Sequence, residues 1–152
     1  MSEEFGYYKL SGFTVILDFI RKLGLSRGFV RWHIYKSWIN QGYEIVDVTS
    51  HGIKYRLNIR DNTTDGKILT TSKFYDFQEI DALAKAVETS QQDKVFLDIG
   101  ANTGHYSLSL AKRGFTKIIA IEPNPPTLEL LSFNVKINYL ESVISIVPLC
   151  IG

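Results

Sequence analysis

At 152 residues the chain is about one domain's worth, on a scale of roughly 100 to 200 residues per domain, which excludes a large multidomain machine. Hydrophobic residues at 45% and charged residues at 22% are globular proportions, against a disordered tail, a fibre or a coiled coil. Lys and Arg number 17 against 16 Asp and Glu, a formal charge of +1, so no whole-chain field exists to hold a polyanion and no nucleic acid partner is expected.

A single cysteine, Cys150, cannot close an internal disulfide, and with three scattered histidines it makes no metal-ligand cluster, so no metal is expected. Cys150 reads as a small core hydrophobe near a strand end. The start, Met1-Ser2-Glu3-Glu4, is acidic where a secretory signal needs basic residues. The most apolar early stretch, Phe13 to Ile20, carries Asp18 and is too short for the roughly 20 apolar residues of a membrane span. A cytoplasmic protein is the expectation.

In chain order, Phe13, Ile16, Leu17, Ile20 and Leu23 recur at helical spacing between Gly12 and Leu25. A second helix is predicted from Arg27 to Asn40, with Val30, Ile34 and Trp38 spaced by four and Arg27, Arg31 and Lys36 interleaved. That basic, Trp-bearing face has two readings: weak contact with a membrane or acidic polysaccharide, or a solvated helix face, which is the ordinary explanation of a charge cluster. From Tyr43 the period changes to two. The segments Tyr43–Val48 and Ile53–Ile59 flank a Ser50-His51-Gly52 turn and predict a β-hairpin, followed by a run of turn formers from Asp61 to Gly66. Asp76 to Glu88 predicts a helix with Phe77, Ile80, Leu83, Ala84 and Val87 on one face, Asp76 as N-cap and Glu79 completing a capping pattern.

Beyond a polar boundary at Thr89–Asp93, apolar runs alternate with helical patterns, as in βα repeats over a parallel sheet. The predicted strands are Val95–Ile99, Lys117–Ile121 and Val143–Val147; the helices are Thr103–Arg113, closed by Gly114, and Pro126–Tyr139.

The informative string is Asp98-Ile99-Gly100-Ala101-Asn102-Thr103-Gly104. A strand turning sharply into a helix needs glycine where φ is positive or where a ligand lies against the backbone, which suits Gly100 and Gly104 with the small Ala101 between. Asn102 is the non-glycine residue that best tolerates the left-handed region. Asp98, a carboxylate ending a buried strand, needs a donor or a cation. Glu122 ends the next strand, where an acid accepts ribose hydroxyls in doubly wound nucleotide folds. A Walker loop is absent and a dinucleotide fingerprint fits poorly, because Asn102 stands where its middle glycine belongs. A cationic nucleoside without pyrophosphate fits better, and S-adenosylmethionine is such a ligand.

The loop Asp98–Gly104 continuing through His105-Tyr106-Ser107, the string Ile121-Glu122-Pro123-Asn124-Pro125-Pro126, and Val147-Pro148-Leu149-Cys150 together resemble the FkbM family of S-adenosylmethionine-dependent methyltransferases. The resemblance implies a Rossmann-like class I methyltransferase fold, α/β, truncated after the third parallel strand and preceded by a β-hairpin and helices. It reaches over a hairpin-plus-helix lead-in at 43–93 and the N-terminal half of an S-adenosylmethionine-binding domain at 94–152, while the helical extension at 1–42 rests on periodicity alone. It implies cofactor contacts from Asp98, Gly100, Ala101, Asn102, Gly104 and Glu122. It also implies O-methylation of a sugar, glycan or secondary-metabolite hydroxyl, with no catalytic base assignable. His105 departs from that family's usual aromatic residue and adds a titratable group beside the loop. A strand order 3-2-1 would leave Val95–Ile99 as an open edge, so a fragment, with a complementing C-terminal piece as partner, is the expectation. A catalytically incomplete nucleoside-binding module and an NAD-dependent oxidoreductase are the competing classes.

Overall fold

Hairpin chemistry organises the first part of the chain. In the computed structural model, which describes residues 2–12, 15–16, 19–20, 23–25, 28–71 and 75–150, β1 (Ile45–Ser50) and β2 (Ile53–Asn58) pair antiparallel. The two-residue turn between them has His51 at φ 51° and Gly52 at φ 78°. Positive φ at both positions matches the twist of the flanking strands and fixes the register. Val46 therefore lies opposite Leu57, Val48 opposite Tyr55, and Asp47 opposite Arg56.

Helix α1 (Gly28–Asn40) buries Ile34 and Trp38, but Val30 is 44% exposed, so the predicted apolar stripe stops short of the first turn. The first predicted helix lies in part outside the described residues, Phe13 and Leu17 included. A difference from expectation follows the hairpin: Thr63–Thr70 is a helix, α2, rather than a run of turns. Asn62 accepts from the N–H groups of Thr64 and Asp65 at 3.1 and 3.3 Å, so one of the turn formers is the N-cap that starts it. Ile34, Trp38, Val46, Tyr55, Leu57 and Leu69 form the core of this unit.

On the other side of the hairpin, Arg56 and Asp47 form a two-pronged buried ion pair, Nε to Oδ1 at 2.8 Å and Nη2 to Oδ2 at 2.9 Å. The remaining donors of Arg56 reach the carbonyls of Ser2 and, at 2.7 Å, Glu4. Asp47 accepts from the N–H of Gly6 at 2.7 Å and of Tyr8 at 3.2 Å. Each buried charge is thus satisfied several times over, the condition for a buried pair to hold. The N-terminal segment is strapped to the sheet through it.

Two compact units divide the chain at residues 75 and 76. The second opens with α3 (Phe77–Ala86). Asp76 precedes it in the left-handed region, φ 49°, and makes no capping bond; its carboxylate instead accepts from Tyr106 Oη at 3.2 Å. The expected cap is therefore absent, and of the predicted face only Ile80 is fully buried while Phe77 is 49% exposed. Then come β3 (Val95–Ile99), α4 (His105–Ala111), β4 (Lys117–Ile121), α5 (Pro125–Ile137) and β5 (Ile144–Val147). The strands are parallel in the order β3-β4-β5 with helices between them, the α/β arrangement expected from the sequence. At the β3 edge, Val95, Leu97 and Ile99 are 53%, 51% and 62% exposed, whereas the alternate residue Asp98 points to α4. Cys150 is exposed, not a core hydrophobe.

Candidate functional site

The turn from β3 into α4 needs positive φ three times: Gly100 at 75°, Asn102 at 53° and Gly104 at 94°. These are the positions where the sequence placed two glycines and an asparagine, and the loop takes the shape they permit. The two glycines serve different ends. A Cβ built on Gly104 would lie 2.7 Å from Leu131 Cδ1, so this glycine lets α5 close against the loop. A Cβ on Gly100 would meet nothing within 4 Å, so Gly100 keeps open space beside the loop.

The loop amides are turned inward. Those of Gly100 and Ala101 both donate to Ile121 O at 2.9 Å, and that of Gly104 donates to Ala101 O at 2.9 Å. Asn102 N donates to Glu122 Oε2 at 2.9 Å, and Asn124 N donates to Glu122 Oε1 at 3.0 Å. Glu122, 8% exposed, thus ties the loop after β3 to the loop after β4. Each of its oxygens keeps acceptor capacity beyond one amide, because an ionised carboxylate offers about four lone-pair sites. Ribose hydroxyls would find acceptors there.

Asp98 has the donor that its position demanded. Ser107, in the first turn of α4, gives Asp98 Oδ2 both its backbone N–H at 3.1 Å and its hydroxyl at 2.5 Å. Burial nevertheless raises the Asp98 carboxyl above its ordinary value; the Ser107 bonds pull it down and the nearby Glu122 charge pushes it up. A half-buried carboxyl that resists ionisation beside a second acid is an arrangement that a cationic ligand could relieve.

Sequence reasoning missed two residues here. Ser107 is one; a hydroxyl at the third position of a helix that follows a strand-end acid was the available signal. The other is Asn134, fully buried, its side-chain amide donating to Thr103 O at 2.9 Å. His105 is 4% exposed and its ring packs edge-on to Tyr106 at 6.0 Å. His33 and His51 are exposed. Asn124 contributes its amide to Glu122.

Small-residue turn, strand-end acid and second acid on the neighbouring strand are thus assembled in one place, and comparison with known proteins identifies the relatives that share the fold around them. Residues 48–149 match the TRM5/TYW2 methyltransferase domain. The chain belongs to this family. Over 130 residues it is 28% identical to the tRNA(Phe) (4-demethylwyosine(37)-C(7)) aminocarboxypropyltransferase of Pyrococcus horikoshii, an alignment covering 81% of the chain and 43% of that protein. The crystal structure of P. horikoshii TYW2 in complex with MeSAdo superposes with a TM-score of 0.51 at 28% identity, over 68% of the chain and 35% of that structure. The M. jannaschii TYW2 structure in complex with AdoMet shares the fold, with a TM-score of 0.51 at 21% identity, over 68% of the chain and 42% of that structure. The chain spans less than half the length of these relatives.

Membership in the TRM5/TYW2 family overturns three expectations. The chain is not an FkbM protein: a small-residue loop and a strand-end acid suited to a cofactor are shared by methyltransferases with unrelated acceptors and cannot tell one acceptor class from another. O-methylation of a sugar, glycan or secondary-metabolite hydroxyl falls with it. The exclusion of nucleic acid also falls, since the P. horikoshii relative is a tRNA enzyme. A net charge of +1 is a whole-chain sum, and it does not report how the charges are distributed. No helix among the described residues is long and apolar enough to cross a membrane.

Proposed function

We propose that this chain is the cofactor-binding part of an S-adenosylmethionine-dependent transferase that modifies a base in tRNA. The observation that carries the proposal is the family match over residues 48–149, which includes the whole loop between Asp98 and Glu122. Cofactor contacts are assigned to Asp98, Gly100, Ala101, Asn102, Gly104 and Glu122. The fit is supported by the open space at Gly100, by two acids and by a loop without basic side chains.

When bound, S-adenosylmethionine supplies an electrophilic carbon on a sulfonium whose sulfur departs as a neutral thioether. The chain's own residues bind and orient. Glu122 offers acceptors to the ribose and holds the loop through Asn102 N. Asp98, fixed by Ser107, offers negative charge toward the cationic end of the ligand. Asn134 and Gly104 lock the loop to α5, so the geometry is set before the ligand arrives. No residue is assigned as the general base.

The relatives' names include both methyl and aminocarboxypropyl transfer. The two leave different nucleosides, S-adenosylhomocysteine after methyl transfer and methylthioadenosine after aminocarboxypropyl transfer. Incubating the protein with S-adenosylmethionine and unmodified tRNA, then identifying the nucleoside product and the modified base by mass spectrometry, tests the proposal. Neither product above a no-tRNA control refutes the tRNA substrate. Asp98→Ala is expected to abolish cofactor binding, and unchanged affinity in calorimetry refutes the site.

A further inference from the structure

The first unit holds a cavity of about 420 Å³ that has no part in the cofactor loop. Arg31, Trp32 and Tyr35 of α1 form one wall; Arg60, Asp61 and Lys67 form the other. Three cations against one carboxylate make it electropositive although the chain as a whole is nearly neutral. Its cations are loosely engaged. Arg60 and Glu44 approach to 3.8 Å with both side chains more than half exposed, a pairing worth little in water. Lys67 Nζ lies 3.4 Å from Tyr75 Oη and 5.5 Å from its ring centroid.

The aromatic wall is built, not incidental. Tyr35 Oη donates to Ile59 O at 2.6 Å, and the Tyr35 ring rests on Gly66, where a Cβ would sit 3.2 Å from Cε2. Trp32 is 52% exposed and stacks with Phe29, itself 74% exposed, at 6.3 Å and 21° between planes. Lys36 Nζ lies 5.9 Å from the indole centroid. An exposed π-face bordered by cations beside a cavity is the pairing that holds a single-stranded nucleotide, with the base stacked and the phosphate neutralised.

We infer that this cavity is an RNA-binding site in which a base stacks on Trp32 while Arg31, Arg60 and Lys67 hold the adjoining phosphates. The class of ligand rests on the proposed tRNA substrate; the site itself rests on the cavity and its lining. The decisive residues are surface side chains, so their removal spares the fold.

The test titrates the full chain into a short fluorescein-labelled single-stranded oligoribonucleotide and follows anisotropy across a salt series. Trp32→Leu is expected to weaken binding about fivefold or more, the lower end of base-stacking contributions. Arg60→Gln combined with Lys67→Gln is expected to reduce the slope of log affinity against log salt by about 0.7 for every phosphate that is no longer neutralised. Both variants are expected to bind S-adenosylmethionine like the parent in calorimetry and to keep the parent's circular-dichroism spectrum and thermal midpoint, which together confirm that both units are intact. RNA binding with unchanged affinity and slope in the variants overturns the site and leaves the tRNA substrate standing. No RNA binding by the parent also overturns it. Binding to phosphatidylserine vesicles that is abolished in Trp32→Leu, without RNA binding, overturns it in favour of a membrane surface. The product assay on tRNA is independent, so failure of the substrate and failure of the cavity are read separately.

Discussion

Gly100→Ala separates the loop's role in folding from its role in binding. A Cβ at Gly100 meets nothing within 4 Å, so the substitution creates no clash in the protein itself. What remains is backbone strain: φ is 75°, and holding an L-residue in the left-handed region costs about 1–2 kcal/mol. For a chain of this size that is a drop in Tm of about 2–4 °C per kcal/mol. The added methyl stands in the space assigned to the cofactor, where inserting one carbon into a close contact costs about 1–3 kcal/mol, or about 5- to 150-fold in affinity. Gly104→Ala is the control. Its Cβ would lie 2.7 Å from Leu131 Cδ1, and Leu131 is fully buried, so overpacking adds about 1–3 kcal/mol to the strain. Thermal denaturation and isothermal calorimetry with S-adenosylmethionine on both variants give the comparison. Gly100→Ala should keep most of its stability and lose affinity; Gly104→Ala should lose more stability. Parent-like affinity in a folded Gly100→Ala variant refutes the placement of the ligand against this loop.

Asp98 gives a pH dependence of defined sign. Its folded carboxyl is raised above the ordinary 3.8 chiefly by burial, so the native state holds the proton more tightly than the unfolded chain. The stability linked to Asp98 is fully present below the unfolded value and is lost as pH rises through the folded one; Asp98→Asn should flatten that segment of a denaturation-versus-pH curve, and an unchanged slope would count against a raised Asp98 carboxyl. A cationic ligand prefers ionised Asp98, so S-adenosylmethionine affinity should fall on acidification at a higher pH than an ordinary carboxylate would give, as calorimetry across the pH range will report. Glu122→Gln puts an amide donor against one of the N–H groups of Asn102 and Asn124, and urea denaturation should register a loss of about 1–3 kcal/mol. Arg56→Ala leaves Asp47 charged and buried without its partner; a loss of about 3–5 kcal/mol in the same assay is expected, and less than about 1 kcal/mol would contradict a buried pair.

Much of the architecture was legible in the sequence because it is local. Alternation over Tyr43–Ile59 and the His51-Gly52 turn specify the hairpin, and apolar runs between helical patterns specify β3, β4 and β5. Gly100, Asn102 and Gly104 announce a positive-φ loop because few residues tolerate that backbone, and all three adopt it. The register that sets Asp47 against Arg56 also follows from a two-residue turn, although neither residue stands out in the sequence. Helix α2 was hidden because Asn62, Thr63 and Thr64 read equally well as a turn or as a cap, and only the helix that follows decides between them.

The sequence by itself determined the hairpin, the three parallel strands with the helices between them, the positive-φ loop and its two acids, since each depends on φ preferences and periodicity within a few residues. Tertiary structure alone decided that Ser107 answers Asp98, that Asn134 is buried against Thr103, and that Arg31, Trp32, Arg60 and Lys67 share one cavity. Those contacts join residues distant along the chain or on different elements. Burial and charge clustering are properties of packed neighbours, and composition averages them away.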